Sequence, residues 1–259
     1  MRFFIQLSYN GSAFSGWQIQ DNANSVQAEL ERALSIRCGE TVKVTGAGRT
    51  DSGVNARNYI AHFDTEYEIE KEPEAFLYKI NAILPPEIVV TNICRTADEA
   101  HARFDASART YNYYLHTAKD PFAVRSLYCP YPLDVEKMNE AAAHIIGRRD
   151  FSCFEKTGGD NKTSICTVHE AHWGFYTPAH IAAAGGEIEA RSEGKYLYFK
   201  ISADRFLRNM VRAIVGTLLE VGRGKRTVES IEGLLLSGDR CASGQSVPGH
   251  ALFLTSVQY

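Results

Sequence analysis

The sequence predicts an α+β protein in which strands and helices interleave without a regular βαβ alternation. Its 259 residues are 44% hydrophobic and 23% charged, which is a globular composition with enough apolar material for a sizeable core. The 28 aromatic residues (13 Tyr, 13 Phe and 2 Trp) are spread along the chain, which excludes a disordered protein. At about 150 residues per domain, this length corresponds to one large or two small domains.

In the first half of the chain, hydrophobic alternation predicts strands at residues 2–9, 41–45, 59–63 and 88–90. A helix is predicted over residues 25–36, with Asn24 or Ser25 as its N-cap, because Val26, Leu30, Ala33 and Leu34 share one face. A second helix is predicted over residues 74–82, before the Pro85-Pro86 pair. Residues 46–53 form a glycine-rich loop.

In the second half, residues 109–116 alternate aromatic and polar side chains, which predicts a strand with Tyr111 and Tyr113 on one face. A helix over 135–146 should stop at Gly147. Flexible loops are predicted at residues 156–162 and 182–186, and strands at 169–176 and 196–203 flank the second loop. Residues 205–221 carry the clearest helical periodicity in the chain.

The net charge of −3 argues weakly against a nucleic-acid partner, but the charge is unevenly distributed. Residues 201–226 hold six basic side chains against Asp204 and Glu220, which is compatible with either a phosphate-binding face or a solvated surface. No apolar stretch is long enough for a membrane span, and no secretory signal is apparent. Six scattered cysteines without a Cys-x-x-Cys pair indicate reduced, mostly buried thiols of a cytoplasmic protein.

The glycine-rich loop does not match a nucleotide-binding motif. A P-loop would end in Gly-Lys-Ser/Thr, and the dinucleotide fingerprint would need glycine where Asp51 stands. A carboxylate would also repel a phosphate, so the loop is better suited to presenting Asp51 itself, beside Arg49. The alternative is a turn-forming aspartate that bonds its own backbone.

The predicted helix over 205–221 would place Arg205, Arg208 and Arg212 within about 60° of one another, opposite an apolar face. Gly216 lies one turn beyond Arg212, where a missing side chain would admit a ligand or another loop. A solvated basic face is the alternative.

A metal site is not predicted. Cys166, His169 and His172 are spaced at threes, but a strand would place the two histidines on opposite faces, and no fourth ligand is evident. His62, inside an apolar strand, is expected to be a hydrogen-bonded core residue. The Gly-x-Ser-x-Gly motif of serine hydrolases does not occur.

Three segments together resemble the TruA family of tRNA pseudouridine synthases: residues 9–20 (YNGSAFSGWQIQ), 46–56 (GAGRTDSGVNA) and 206–222 (FLRNMVRAIVGTLLEVG). Residues 101–104 (HARF) and 108–113 (ARTYNY) fit between them in the family's order. The resemblance implies a two-domain fold: residues 1–107 would carry the catalytic aspartate loop, and 108–259 the stacking tyrosine and the arginine-rich helix. A continuous mixed, mostly antiparallel sheet would join the domains, with an RNA-binding cleft between them.

The resemblance also implies a cofactor-free homodimer that converts uridine to pseudouridine in the tRNA anticodon stem-loop, at positions 38–40. Asp51 would be the catalytic aspartate, Tyr111 would stack on the target uracil, and Arg212 would pair with the aspartate. Tyr111 would also be placed to act as a general base in the final loss of the C5 proton. Arg49, Arg205 and Arg208 would bind the substrate. The sequence departs from the family pattern at three places. Asn55 replaces a histidine, which is expected to alter the outer contacts of the loop. Ala251 replaces a glycine and residues 155–166 lack a common Cys-Gln-Ser segment, and these two departures bear on the choice of uridine.

Other readings stay open on the sequence alone. The same chemistry could act on other uridines or RNAs. A tRNA-binding module that remodels tRNA without chemistry is a further alternative, and the presence of Asp51 argues against it. A retaining glycosidase or nucleoside hydrolase would require a second carboxylate, which the matched motifs do not contain. Whether Asp51 attacks the sugar, attacks the base or removes a sugar proton is not determined.

Overall fold

A computed structural model describes residues 1–156, 158 and 162–259. These residues group into two compact units, Met1–Arg109 with Phe253–Tyr259, and Thr110–Leu252. The C-terminal strand therefore lies with the first unit, which the predicted division between residues 107 and 108 does not anticipate. Within the described ranges, no helix has the length and apolar character needed to cross a membrane.

The first unit is built on four strands in the order β4 (Ile88–Arg95), β1 (Arg2–Tyr9), β3 (Asn55–Asp64) and β10 (Leu252–Gln258). β1 pairs antiparallel with both β3 and β4, and β10 pairs parallel with β3. A short strand, β2 (Val44–Gly46), pairs antiparallel with β3. Alternate residues of β1 are buried, so one face of this strand faces the core, as its hydrophobic alternation predicts.

Two helices complete the first unit: α1 (Val26–Cys38) and α2 (Pro73–Ile83), which pack on each other. The Ser25 side chain caps α1 by accepting a hydrogen bond from the backbone N–H of Ala28. The helix ends at Gly39, which takes the left-handed conformation (φ 73°). Pro73 begins α2, where the missing N–H of proline costs nothing.

The second unit holds strands in the order β5 (Ala108–His116), β9 (Tyr196–Ala203), β8 (Ile165–Phe175) and β7 (Gly147–Asp150). β8 pairs antiparallel with β7 and β9, and β6 (Leu127–Tyr128) pairs parallel with β5. The α+β class and the mixed, mostly antiparallel strand pairing are confirmed in each unit.

The second unit also contains α3 (Val135–Ala143), α4 (Ala179–Ala184), α5 (Gly186–Ser192), α6 (Met210–Gly222) and α7 (Ser230–Ser237). α3 packs against α6 and β8. All residues of α6 are buried except Arg212 and Glu220, which are half-buried. A helix that is apolar on nearly every side lies inside a core, so α6 is the central helix of this unit.

The prediction of one helix over residues 205–221 is wrong in its first turn. Asn209 adopts the left-handed conformation (φ 66°), which cannot continue an α-helix, and α6 begins only at Met210. Before it, the Asp204 carboxylate accepts hydrogen bonds from the backbone N–H groups of Arg205 and Thr167. These bonds from a side chain to backbone N–H groups hold the residues before α6 in a non-helical conformation.

Other loop predictions change too. The loop expected at 182–186 lies mostly within α4 and α5, which are separated by Gly185 (φ 60°). The helix expected over 135–146 ends at Ala143, because Gly147 (φ 100°) already begins β7. Of the segments 156–162 and 155–166, residues 157 and 159–161 lie outside the described residues. The six cysteines are free thiols, and three of them (Cys129, Cys153 and Cys166) are buried.

Candidate active site

Asp51 lies on the loop between β2 and β3, in the first unit. Its side chain is half-buried, its neighbour Thr50 is buried, and Arg49 is exposed. The backbone N–H of Val54 donates to the Asp51 carbonyl at 3.1 Å, closing a turn around the aspartate. The backbone of the loop is therefore fixed at Asp51.

Residues 10–17, which begin the first matched segment, form the support of this loop. Gly16 (φ 106°) lies so close that an added Cβ would stand 2.5 Å from the Thr50 carbonyl oxygen. An added Cβ at Gly11 would stand 2.1 Å from the Val54 carbonyl oxygen. The Trp17 N–H donates to the Thr50 carbonyl at 3.2 Å. Only glycine permits such backbone-to-backbone contact, which explains the glycines of this motif.

Buried aromatic residues of the first unit contact the loop that carries Asp51 and form hydrogen bonds to it. The Tyr9 hydroxyl and the Thr50 hydroxyl are hydrogen-bonded at 2.8 Å. The Tyr59 ring stacks on Trp17 with centroids 4.1 Å apart, and its hydroxyl donates to the Gly48 carbonyl. Buried, directional bonds of this kind fix the loop on both sides of Asp51.

Asn55 is one of the departures from the family pattern, and it was expected to alter outer contacts of the loop. That expectation is wrong, because Asn55 is 1% exposed. Its amide oxygen accepts a hydrogen bond from the Gly11 N–H at 3.0 Å. This buried hydrogen bond therefore connects residues 10–17 to the end of the loop that carries Asp51. The second departure, Ala251, is also fully buried, in a 3-10 turn.

Tyr111 belongs to the second unit, on β5. It is half-buried, and its ring meets Phe206 edge-on at a centroid distance of 5.1 Å. Tyr113, two residues on, is fully buried and donates its hydroxyl to the Pro248 carbonyl. Burial raises the pKa of the Tyr113 phenol, and the nearby Arg212 charge opposes that rise. Of the two tyrosines, only Tyr111 is partly accessible.

Arg212 lies on α6 and is held by the segment 244–248. Its Nε donates to the Val247 carbonyl at 2.7 Å, and the Val247 N–H donates to the Arg212 carbonyl at 3.2 Å. The space above Gly216 is not open: an added Cβ would stand 1.9 Å from the Gln245 carbonyl oxygen. Gly216 therefore admits another loop, as its missing side chain predicts, and that loop is the segment 244–248 of the same unit.

Arg205 and Arg208 precede α6 and do not form a helical stripe with Arg212. Arg205 is half-buried and Arg208 is exposed, and the Arg208 carbonyl accepts a hydrogen bond from the Lys156 N–H. The basic residues thus cluster along the chain but not on one helix face. The structure places Arg49 and Asp51 on one loop of the first unit, and Tyr111, Arg205, Arg208 and Arg212 in the second.

Among the described residues, no group of three or more His, Cys, Asp or Glu side chains could hold a metal ion. Burial raises the pKa of the Cys166 thiol to about 12, so the thiolate that binds zinc is disfavoured there. His62 is the core residue that the sequence predicts: it is 6% exposed, and its Nδ1 accepts a hydrogen bond from the Ala102 N–H at 3.0 Å. Burial lowers the pKa of His62 to about 4.

Arg109 is a residue that the sequence analysis missed. Its guanidinium donates to three backbone carbonyls of the first unit, those of Ala47 (3.0 Å), Arg103 (2.6 Å) and Ala106 (2.8 Å). It thereby ties the loop that carries Asp51 to residues 101–106. The sequence places Arg109 at the start of the strand predicted over residues 109–116, and this position alone does not identify a bridging role.

Comparisons with known proteins agree with this architecture. A family model described as tRNA pseudouridine synthase matches residues 141–259. The chain is 48% identical over 259 residues to tRNA pseudouridine synthase A of Parabacteroides distasonis, covering all of this chain and 96% of that protein. It is 36% identical over 264 residues to tRNA pseudouridine synthase A of Bacillus subtilis, covering all of this chain and 99% of that protein. The similarity spans both units, and the chain belongs to the tRNA pseudouridine synthase A family of isomerases.

Proposed function

We propose that this protein converts uridine to pseudouridine in the anticodon stem-loop of tRNA, at positions 38–40, with Asp51 as its catalytic carboxylate. The observation that carries the proposal is the loop of Asp51, a half-buried carboxylate whose flanking backbone is fixed by Gly11, Gly16 and Trp17. A side chain held in one position costs little reorganisation when the substrate reacts.

The reaction breaks the C1′–N1 bond of uridine, turns the uracil and joins C1′ to C5. C5 then loses its proton and N1 gains one, so that the product is an isomer of uridine. The base must first leave its stack, at a cost of a few kcal/mol, which is smaller in a loop. We assign Tyr111 to stacking on the displaced uracil, since its ring is half-buried and its edge contact with Phe206 fixes its plane. Stacking on an aromatic ring is a general way of holding an unpaired base.

Arg212 is assigned to pairing with Asp51. The bond from its Nε to the Val247 carbonyl restrains the guanidinium, and the planar fork of an arginine matches the geometry of a carboxylate. A nearby cation favours the ionised form of a carboxyl group, which is the form needed for a nucleophile or a base.

Arg49, Arg205 and Arg208 are assigned to the RNA backbone. Arg49 and Arg208 are exposed, and Arg205 is half-buried. Phosphate contacts of arginine supply most of the affinity for RNA and carry little sequence information. The restriction to the anticodon stem-loop and a homodimeric, cytoplasmic enzyme belong to the same proposal, and light scattering of the purified protein tests the dimer.

Release of tritium from tRNA labelled at C5 of uridine tests the reaction, with the modified positions then mapped. We expect release by the wild-type protein, none by Asp51→Asn, and a tRNA affinity in that variant within about tenfold of wild type. Asp21→Asn, at an exposed aspartate of the same unit, serves as the control and should keep full activity. Normal turnover by Asp51→Asn would contradict the assignment.

The same assay separates the remaining candidates. A nucleoside hydrolase would release free uracil and leave an abasic ribose, whereas an isomerase keeps the base on the RNA. A tRNA-binding module would bind without releasing tritium. If pseudouridine were found at positions other than 38–40, the proposed reaction would stand and only the assigned positions in the tRNA would change.

A further inference from the structure

The turn at residues 101–104 presents an aromatic ring that no step of the proposed reaction uses. The Phe104 side chain is 75% exposed. A single exposed apolar side chain is common and is not by itself a site. Tyr78 on α2, 77% exposed, is such a case, with no ring contact among the described residues. Phe104 differs from Tyr78 in what surrounds and supports it.

The Phe104 ring stacks on the imidazole of His101, with centroids 4.2 Å apart and planes at 30°. The guanidinium of Arg103 lies 5.8 Å from the centroid of the same ring. An imidazole therefore stacks on the Phe104 ring and a guanidinium lies over it, while 75% of the residue stays exposed to solvent. This combination suits a flat, electron-rich partner next to a negative charge, as an unpaired nucleotide is.

Hydrogen bonds hold the turn in place. The Nδ1 of His101 accepts from the backbone N–H groups of Arg103 (3.1 Å) and Phe104 (3.2 Å). The Asp105 carboxylate accepts from the His101 N–H at 2.7 Å. The turn is therefore ordered before any ligand binds, which lowers the entropic cost of binding.

Two hydrogen bonds connect the turn at residues 101–104 to other residues of the first unit. The buried His62 accepts the Ala102 N–H, and the Tyr259 hydroxyl donates to the Ala102 carbonyl at 2.7 Å. Arg109 then connects the turn to the loop of Asp51, since one of its nitrogens, Nη2, donates to both the Arg103 and the Ala47 carbonyls. The ring of Phe104 and the carboxylate of Asp51 are thus carried by one bonded framework.

We propose that Phe104, backed by His101, is a stacking platform for an unpaired nucleobase of the RNA substrate, distinct from the uracil that reacts. The proposal rests on the proposed function, because it takes RNA as the ligand of the unit that carries Asp51. We assign an RNA base, and not a second protein, as the occupant. The platform is a pair of stacked rings beside a cation, and hydrogen bonds connect it to the loop of Asp51, which acts on RNA in the proposed function.

The test measures the dissociation constant of unmodified tRNA transcript at several salt concentrations for the wild type, Phe104→Ala, Phe104→Trp and the control Tyr78→Ala. Stacking of one base on an aromatic side chain corresponds to about 5- to 150-fold in affinity. We expect Phe104→Ala to lose that factor with an unchanged salt dependence, since no phosphate contact is removed. Phe104→Trp should restore binding, and Tyr78→Ala should stay within about twofold of wild type.

Equal affinities for Phe104→Ala and Tyr78→Ala would overturn the proposal, as would failure of Phe104→Trp to restore binding. A changed oligomeric state of Phe104→Ala in sedimentation would also overturn it, because Phe104 would then contact a second copy of the chain. Failure of the proposed function appears separately, as absent tritium release by a wild-type protein that still binds tRNA.

Discussion

Gly216→Ala is the substitution whose outcome the structure predicts most sharply. In an ordinary helix, alanine is favoured over glycine by about 1 kcal/mol. Here the added Cβ would stand 1.9 Å from the Gln245 carbonyl oxygen and 3.0 Å from its carbon. Since the obstacle is backbone, the segment 244–248 must move away from α6 by about 1 Å or more.

The cost follows from what that movement disrupts. Overpacking of a core costs about 1–3 kcal/mol, and each of the two hydrogen bonds between Arg212 and Val247 contributes about 0.5–1.5 kcal/mol. After the gain in helix propensity, we expect a net loss of about 1–5 kcal/mol in the free energy of unfolding. Turnover should fall as well, because the restraint on the Arg212 guanidinium is lost.

Urea unfolding followed by far-ultraviolet circular dichroism measures the effect. Gly233→Ala is the matched control: this glycine lies mid-helix in α7, and an added Cβ would meet nothing within 4 Å. We expect the control to gain about 0.5–1 kcal/mol from helix propensity alone. If Gly216→Ala were stabilised to the same extent as Gly233→Ala, the close contact between α6 and Gln245 would be refuted.

Three further predictions concern charge. Arg212→Ala should abolish tritium release and Arg212→Lys should restore it only in part, because lysine lacks the planar fork; full activity of the alanine variant would contradict the pairing. Arg208→Ala should reduce the slope of log affinity against log salt by about 0.7–0.9, whereas an unchanged slope would mean a solvated side chain. His62, with its pKa lowered to about 4 by burial, stays neutral in the folded protein while the unfolded chain takes up a proton near pH 6.5. Stability should therefore fall by up to about 1.4 kcal/mol per pH unit between pH 6.5 and 4, on top of a loss of the same sign from His116. His62→Asn, which keeps an acceptor for the Ala102 N–H, should flatten this dependence, and an unaltered profile would exclude His62 as its source.

Much of this protein is determined by local sequence. The alternation along β1, the cap of α1 and the span of β9 depend on residues within a few positions of one another. The first and the last are predicted correctly, and Ser25 is one of the two predicted caps. The identification of Asp51 as the residue its loop presents likewise needs only the pattern of residues 46–53. Its assignment as the catalytic group remains a prediction until Asp51→Asn is assayed.

Other features depend on contacts between residues far apart in the chain, and only the tertiary structure decides them. The start of α6 is set by the left-handed Asn209, whose amide nitrogen donates to the Ser246 hydroxyl, 37 positions away. Gly216 exists to admit the Gln245 carbonyl, and Asn55 faces inward to bond Gly11. Hydrophobic periodicity records which side of an element is buried but not which segment covers it. The arginines near α6 therefore form one helical stripe in the sequence pattern, whereas in the folded chain Arg205 and Arg208 precede the helix that carries Arg212.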